Sequence, residues 1–219
     1  MKESRLKLVA RYLVLIAGLL IMGMSVAMAK VADLGMSPIS SIPNVLSFIF
    51  LLPIGQITII FLAALILLEW VVLRSKFRLK NILEMLPSLV FGYGTDFFVG
   101  IFEKFPHSVY WQQFILMLIS IVLLAIGVYL EVVSNVIVMP GEGIILAFSY
   151  RLKKEFPKVK VWGDASMVVI ALLISLLYFG NVTGIREGTI LTAIFTGRII
   201  AIIQQRMRKF STWLNVENK

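Results

Sequence analysis

Cysteine is absent from the 219 residues. Disulfides, thiolate metal sites and cysteine nucleophiles are therefore excluded. A single histidine, His107, rules out a multi-histidine metal centre. Charge is scarce: 15% of residues are charged and 59% hydrophobic, where a soluble domain carries about a quarter charged. The motifs of soluble catalysis are missing too. There is no G-x-S-x-G, no P-loop, no H-E-x-x-H, and no G-x-G-x-x-G before a helix. A chain with only short loops leaves little room for a catalytic domain. No enzymatic role, cofactor or metal is expected.

What the chain does have is apolar length. Its mean hydropathy is +0.95, and several runs reach the roughly 20 residues that cross a hydrocarbon core of about 30 Å. This predicts an all-α, polytopic membrane helical bundle forming a single transmembrane domain over 1–219. The first run is too long for a cleavable signal peptide. The net charge of +9 raises the question of nucleic acid. The basic residues sit beside the hydrophobic segments instead, as membrane topology requires. The expected partner is the lipid bilayer, with no nucleic acid.

Six runs read as spans: roughly 11–32, 55–73, 82–103, 111–134, 163–180 and 188–205. Two stretches, 38–52 and 140–150, are apolar but too short to cross easily. Lysine and arginine decide their fate. With a cytoplasmic N-terminus and neither stretch crossing, the inside receives Lys2, Arg5, Lys7, Arg11 and the loop set Arg74, Lys76, Arg78 and Lys80. It also receives Arg151, Lys153, Lys154, Lys158 and Lys160, then Arg206, Arg208, Lys209 and Lys219. The outer loops hold only Lys104 and Arg186. If both stretches crossed, the 74–80 loop would move outside and the bias would weaken. The positive-inside rule favours six spans with both termini cytoplasmic.

The two halves, about 11–103 and 111–206, run in the same order. Each has a long span, a short Pro/Gly-interrupted segment, a second span near a glycine (Gly55, Gly163) and a third span. An odd number of spans per half makes the second half inverted. Inverted repeats with interrupted segments at matching places point to a midplane site in transporters. In "VMPGEGIILAFSY", Pro140 and Gly141 break the fourth span and start a short helix near Glu142. In "GMSPISSIPNVLSF", Ser37 suits an N-cap and Pro38 the first helical turn. The segments are either re-entrant, with tips approaching inside the bundle, or interfacial, as the stripe Ile144, Ile145, Phe148 and Leu152 would suit.

Ionisable residues at membrane depth are costly and are functional candidates by default. Asp96 in "FGYGTDFF" and Arg198 in "IFTGRII" occupy comparable places and suggest an ion pair that gates or braces the halves. Lys30 and Glu131 lie near span ends. Lys30 fits snorkelling, and Glu131 with Asn135 one turn on suits a shared polar site. Glu142 at the second tip either binds a cation or proton or complements the helix dipole. Asp164 reads as an N-cap of the fifth span. Arg186 and Glu187 flank a helix start, where Glu187 and Thr189 suit capping and Arg186 an incoming anion.

The stretches "LGMSPISSIPNVLS", "LEVVSNVIVMPGEGIILA", "EFPKVKVWGDAS" and "LYFGNVTGIREGT" resemble a family of bacterial inner-membrane proteins labelled YczE/YyaS/YitT-like. The resemblance covers nearly the whole chain. Many such relatives carry tryptophan and aspartate after the first-half G-x-x-P turn, where Ile39 and Ser40 stand here. It implies a bacterial plasma-membrane protein of this topology and supplies no substrate or site residues.

Two functions compete. One is a small transporter or permease for a small molecule or ion, its site lined by Ser37, Ser40, Asn135 and Glu142. The other is a non-transporting scaffold or accessory protein that binds a partner protein or anionic lipid through the basic surface around 151–160. Glycines such as Gly18 and Gly23 permit close helix approach and leave homo-oligomerisation open.

Overall fold

The computed structural model describes residues 5–104 and 109–215, so His107 lies outside it. Among the described residues the regular structure is entirely helical. Six helices are long and apolar enough to cross a membrane: α1 (Arg5–Ala32), α3 (Ile54–Leu73), α5 (Met85–Phe102), α6 (Tyr110–Ser134), α8 (Phe156–Phe179) and α9 (Glu187–Arg206). The protein is a multi-pass membrane protein. Two helices of 13 residues, α2 (Pro38–Phe50) and α7 (Pro140–Leu152), stand where the two short stretches were expected. A turn of helix, α4 (Leu79–Ile82), and a final α10 (Arg208–Asn215) complete the set.

One boundary differs in a way that matters. The fifth span was expected from about 163, but α8 begins at Phe156. Its first turn contains a proline, and Glu155 at the N-cap position is extended (φ −63°, ψ 136°). Proline is preorganised for that position. Lys160 and Asp164 are therefore inside a helix. Asp164 is no N-cap, and Lys160 is no loop charge.

The centre of the bundle is α1 packed against α6. Arg11 Nε donates to the Ser134 carbonyl at 2.7 Å, and Ser25 Oγ donates to the Ser120 carbonyl at 2.7 Å. These pairings run in opposite senses along the two helices, so the two are antiparallel. A Cβ at Gly18 would lie 3.0 Å from Gly127 O and Glu131 N. A larger residue there would push the two backbones apart by a few tenths of an ångström. In lipid, where apolar burial gives little net drive, such close packing holds helices together.

The α3–α5 pair uses the same device. A Cβ at Gly55 would run into the Gly92 carbonyl. Asp96 fixes the pair further, accepting from the Gly55 N–H at 2.6 Å and the Gln56 N–H at 3.1 Å. Its carboxylate thereby caps the N-terminus of α3, where the helix dipole favours negative charge.

The short helices cross over: α2 packs mainly on α8, and α7 on α3. Each starts with proline in its first turn and ends on a left-handed residue, Leu51 (φ 53°) or Lys153 (φ 53°). By contrast α8 and α9 barely touch one another. Only 17% of the apolar window of each is buried, against 50% for α1.

Candidate functional site

The site is built from the first turns of α2 and α7. The chain entering α2 is fastened to the start of α9. The Met36 N–H donates to Thr189 Oγ1 at 3.1 Å, and the Gly188 N–H donates to the Leu34 carbonyl at 2.7 Å. The chain entering α7 is fastened to α6, because the Met139 N–H donates to Glu131 Oε1 at 2.9 Å. The two tips then meet: a Cβ at Gly141 would collide with Ile39 Cδ1. Glycine at 141 lets the second tip sit against the first without displacing the end of the Ile39 side chain.

A cavity of about 350 Å³ opens beside this junction. Ser37 and Ser40 border it from α2, Met139 and Glu142 from α7, Lys160 and Asp164 from α8, and Thr192 and Thr196 from α9. Apolar side chains of α1, α3, α5 and α6, among them Met22, Phe61, Phe91 and Leu124, form the opposite wall. On this side α8 and α9 stay apart, whereas α3 and α5 close on glycines.

Its polar end is charged. Lys160 Nζ lies 2.9 Å from Asp164 Oδ1 and 3.9 Å from Glu142 Oε1, with side-chain exposures of 30%, 29% and 25%. One cation shared by two carboxylates leaves a formal charge of −1 there. Ser37 Oγ donates to Ser40 Oγ at 3.0 Å. Ser37 occupies the N-cap position as expected, yet its hydroxyl makes no cap bond. Thr196 Oγ1 is buried with no partner, and the residue borders the cavity.

A second cavity, of about 530 Å³, lies at the end of the bundle that carries the N-terminus. Glu69, Asn81, Glu84 and Gly143 line it. Asn81 Nδ2 donates to Glu69 Oε1 at 2.5 Å. Glu69 and Glu84 are 2% and 5% exposed. Helix α7 borders both cavities, with Glu142 on the central one and Gly143, Leu146 and Ala147 on this one.

Of the residues expected at the site, Ser37, Ser40 and Glu142 come together, and Asp164 joins them. Asn135 does not. It is exposed at the end of α6, where its left-handed conformation (φ 48°) stops the helix. Glu131 lies beneath α7 rather than sharing a site with Asn135. Among the described residues no ion pair joins Asp96 to Arg198. Asp96 is spent on the α3 N-terminus, and Arg198 is exposed on α9 with its guanidinium 6.0 Å from the Phe195 ring.

Lys30 does not snorkel. Its Nζ donates to Asn44 Oδ1 at 2.9 Å and Ser47 Oγ at 3.1 Å, and lies 3.5 Å from the centre of the Phe48 ring. Arg186 and Glu187 pair at 3.2 Å on the far face, where Arg186 Nη1 also donates to the Asp33 carbonyl at 3.0 Å. They brace the α1–α2 loop, away from the cavity. Thr189 supports that loop too, through its bond with the Met36 N–H.

Lys160, Glu69 and Glu84 are residues that the sequence reading missed as site groups. Lys160 gives no site signal in the sequence, because the lysine-rich tract before it reads as loop, yet it lies inside α8. Glu69 was legible, since a carboxylate inside an apolar run is a functional candidate.

A family model, described as a family of unknown function (DUF6198), matches residues 9–205. No curated protein and no solved structure matches the chain. The chain belongs to the DUF6198 family.

Proposed function

We propose that this member of the DUF6198 family is a small transporter or permease whose solute occupies the central cavity. The observation that carries the reading is the junction itself. Two interrupted helices start against one another deep in the bundle, beside a cavity with one charged end and apolar walls. Interrupted helices at membrane depth persist where they line such a space. The reciprocal packing of α2 on α8 and α7 on α3 supports two inverted repeats. The volume suits a small solute with an apolar body and one polar or cationic end, which Glu142, Asp164 and Thr196 would meet. The reading is a non-enzymatic one.

The basic ends and the YczE/YyaS/YitT-like motifs favour a bacterial plasma membrane with both termini cytoplasmic. The terminal-face cavity then opens inward.

The test is a comparison of small-molecule contents, by mass spectrometry, of cells making the wild type, Glu142→Gln or a Lys153→Glu/Lys154→Glu double variant. The transport reading expects at least one solute to change with the wild type and revert with Glu142→Gln at equal expression. Identical contents in all three would sink it. A second reading, an accessory protein bound to anionic lipid, is favoured by the basic hollow formed by Lys7, Arg206, Arg208 and Lys209 with Trp213. The 151–160 tract serves it less well, because Lys160 turns inward and Lys158 pairs with Glu155 at 3.0 Å.

A further inference from the structure

We propose that Glu131 is a proton-carrying site that links the two cavities. It takes a proton from the Glu84 side and delivers it to the Glu142 side. The inference supplies an ion for the transport reading but does not depend on it.

The geometry is that of a thin partition. Met139, the N-cap residue of α7, and Glu142, in its first turn, border the central cavity, whereas Gly143 and Ala147, on the same helix, border the other. Glu131 sits against that turn through the bond from the Met139 N–H to its Oε1. Its second oxygen, Oε2, has no partner, although the residue is only 3% exposed. An orphaned carboxylate oxygen at that depth is costly. A proton on Oε2 relieves the cost with the smallest possible ligand.

Charged neighbours stand on both sides. Glu131 feels Glu142 and Lys160 from the central cavity and Glu84 from the other. From α1 it meets Gly18, and the Arg11 guanidinium of the same helix bonds the Ser134 carbonyl one turn further along α6. On the terminal side the partition is bare backbone. A Cβ at Gly143 would lie 2.5 Å from Glu84 Oε2 and 3.2 Å from Glu69 Oε2. Glycine therefore lets two carboxyl groups press against the turn that Glu131 supports.

A metal ion fits this arrangement less well. Among the described residues no three acidic groups lie close enough to hold one. Glu131 also has one oxygen already committed to a backbone donor.

The step balances simply. Glu131, as carboxylate, accepts a proton on Oε2 from the Glu84 carboxyl, which becomes carboxylate and is reprotonated from its cavity. Glu131 then gives the proton to the Glu142 carboxylate and returns to its charged form, and Glu142 releases the proton to the central cavity that it lines. One proton enters, one leaves, and no group is oxidised or reduced. The Met139 N–H holds Oε1 in both states, so the group keeps its orientation.

The test is infrared difference spectroscopy of the purified full chain in lipid vesicles, titrated over roughly pH 4 to 9. The proposal expects a protonated-carboxyl band that grows as pH falls, vanishes in Glu131→Gln and shifts in Glu131→Asp. Deuterium exchange of that band should slow by about tenfold or more in the Glu84→Gln/Glu142→Gln double variant. If Glu131→Gln fails to fold, the shift in Glu131→Asp carries the assignment. A Glu131 band of constant intensity would mean a permanently neutral structural carboxyl, and its absence at every pH a permanently charged one. Either overturns the proposal, as does unchanged exchange in the double variant or a band that answers to Na⁺ or K⁺ at fixed pH. None of these readouts requires a transported solute. A titrating Glu131 with no solute effect sinks transport alone, and a silent Glu131 with a solute effect sinks the relay alone.

Discussion

Helices α2 and α7 share a frame and differ in chemistry. Both have 13 residues, start with proline in the first turn and end on a left-handed residue. Yet the α2 tip offers hydroxyls, Ser37 and Ser40, while the α7 tip offers Glu142 beside Lys160, Asp164 and Glu131. The spans around them diverge in the same direction. The first half closes α3 on α5 through Gly55, Gly92 and Asp96; the second leaves α8 and α9 apart. Geometry is repeated, but packing and charge are not. The first half closes its spans and lends the central cavity hydroxyls and apolar walls, and the second lends it Glu142, Lys160 and Asp164.

The matched glycines give the sharpest way to break this contrast. Gly55→Val should be the most damaging change, because its Cβ meets the backbone carbonyl of Gly92, which cannot move aside. A cost of about 3 kcal/mol is expected, at the upper end of overpacking. Gly163→Ala meets only Ile145 Cδ1, a flexible tip, and should cost about 1 kcal/mol or less. Thermal unfolding in detergent compares the two, and equal losses would erase the distinction between the halves.

Lys160→Met comes next. It strips the shared cation from Glu142 and Asp164 and should cost about 2 kcal/mol, less than a fully buried pair because each side chain is partly exposed. Adding Asp164→Asn should restore part of the loss, and a double variant no better than the single would deny the shared pair. Thr189→Val removes the acceptor of the Met36 N–H and should cost about 1 kcal/mol. Its effect should appear as faster amide exchange at Met36. Arg208→Glu/Lys209→Glu should leave unfolding within about 0.5 kcal/mol of wild type, as surface changes do. Weaker flotation with anionic vesicles in that variant would lend support to the lipid-binding reading.

The spans were legible because apolar length is a strong signal in lipid. Proline and glycine located the starts of α2 and α7 for the same reason that they break longer helices. The start of α8 was not legible. A lysine-rich tract reads as loop, whereas the helix starts at Phe156 with proline in its first turn and packs against α2 and α7. That single shift hid Lys160 and gave Asp164 the wrong role. Asp96 and Arg198 misled in another way. Two opposite charges in comparable spans invite a pair, but a helix N-terminus at Gly55 was the nearer partner. Intramembrane charge could be found from sequence; which partner satisfied it depended on tertiary contacts.

The most direct test of the central claim uses the absence of native cysteine. Ser40→Cys would be placed in an otherwise unchanged chain and treated in membranes with a small, membrane-impermeant thiol reagent from each side. The account predicts labelling from at least one side, slowed by a bulky apolar substitution at Thr192 across the cavity. A Ser40→Cys that stays unreactive from both sides, in a folded protein whose exposed Tyr150→Cys control reacts, would contradict it.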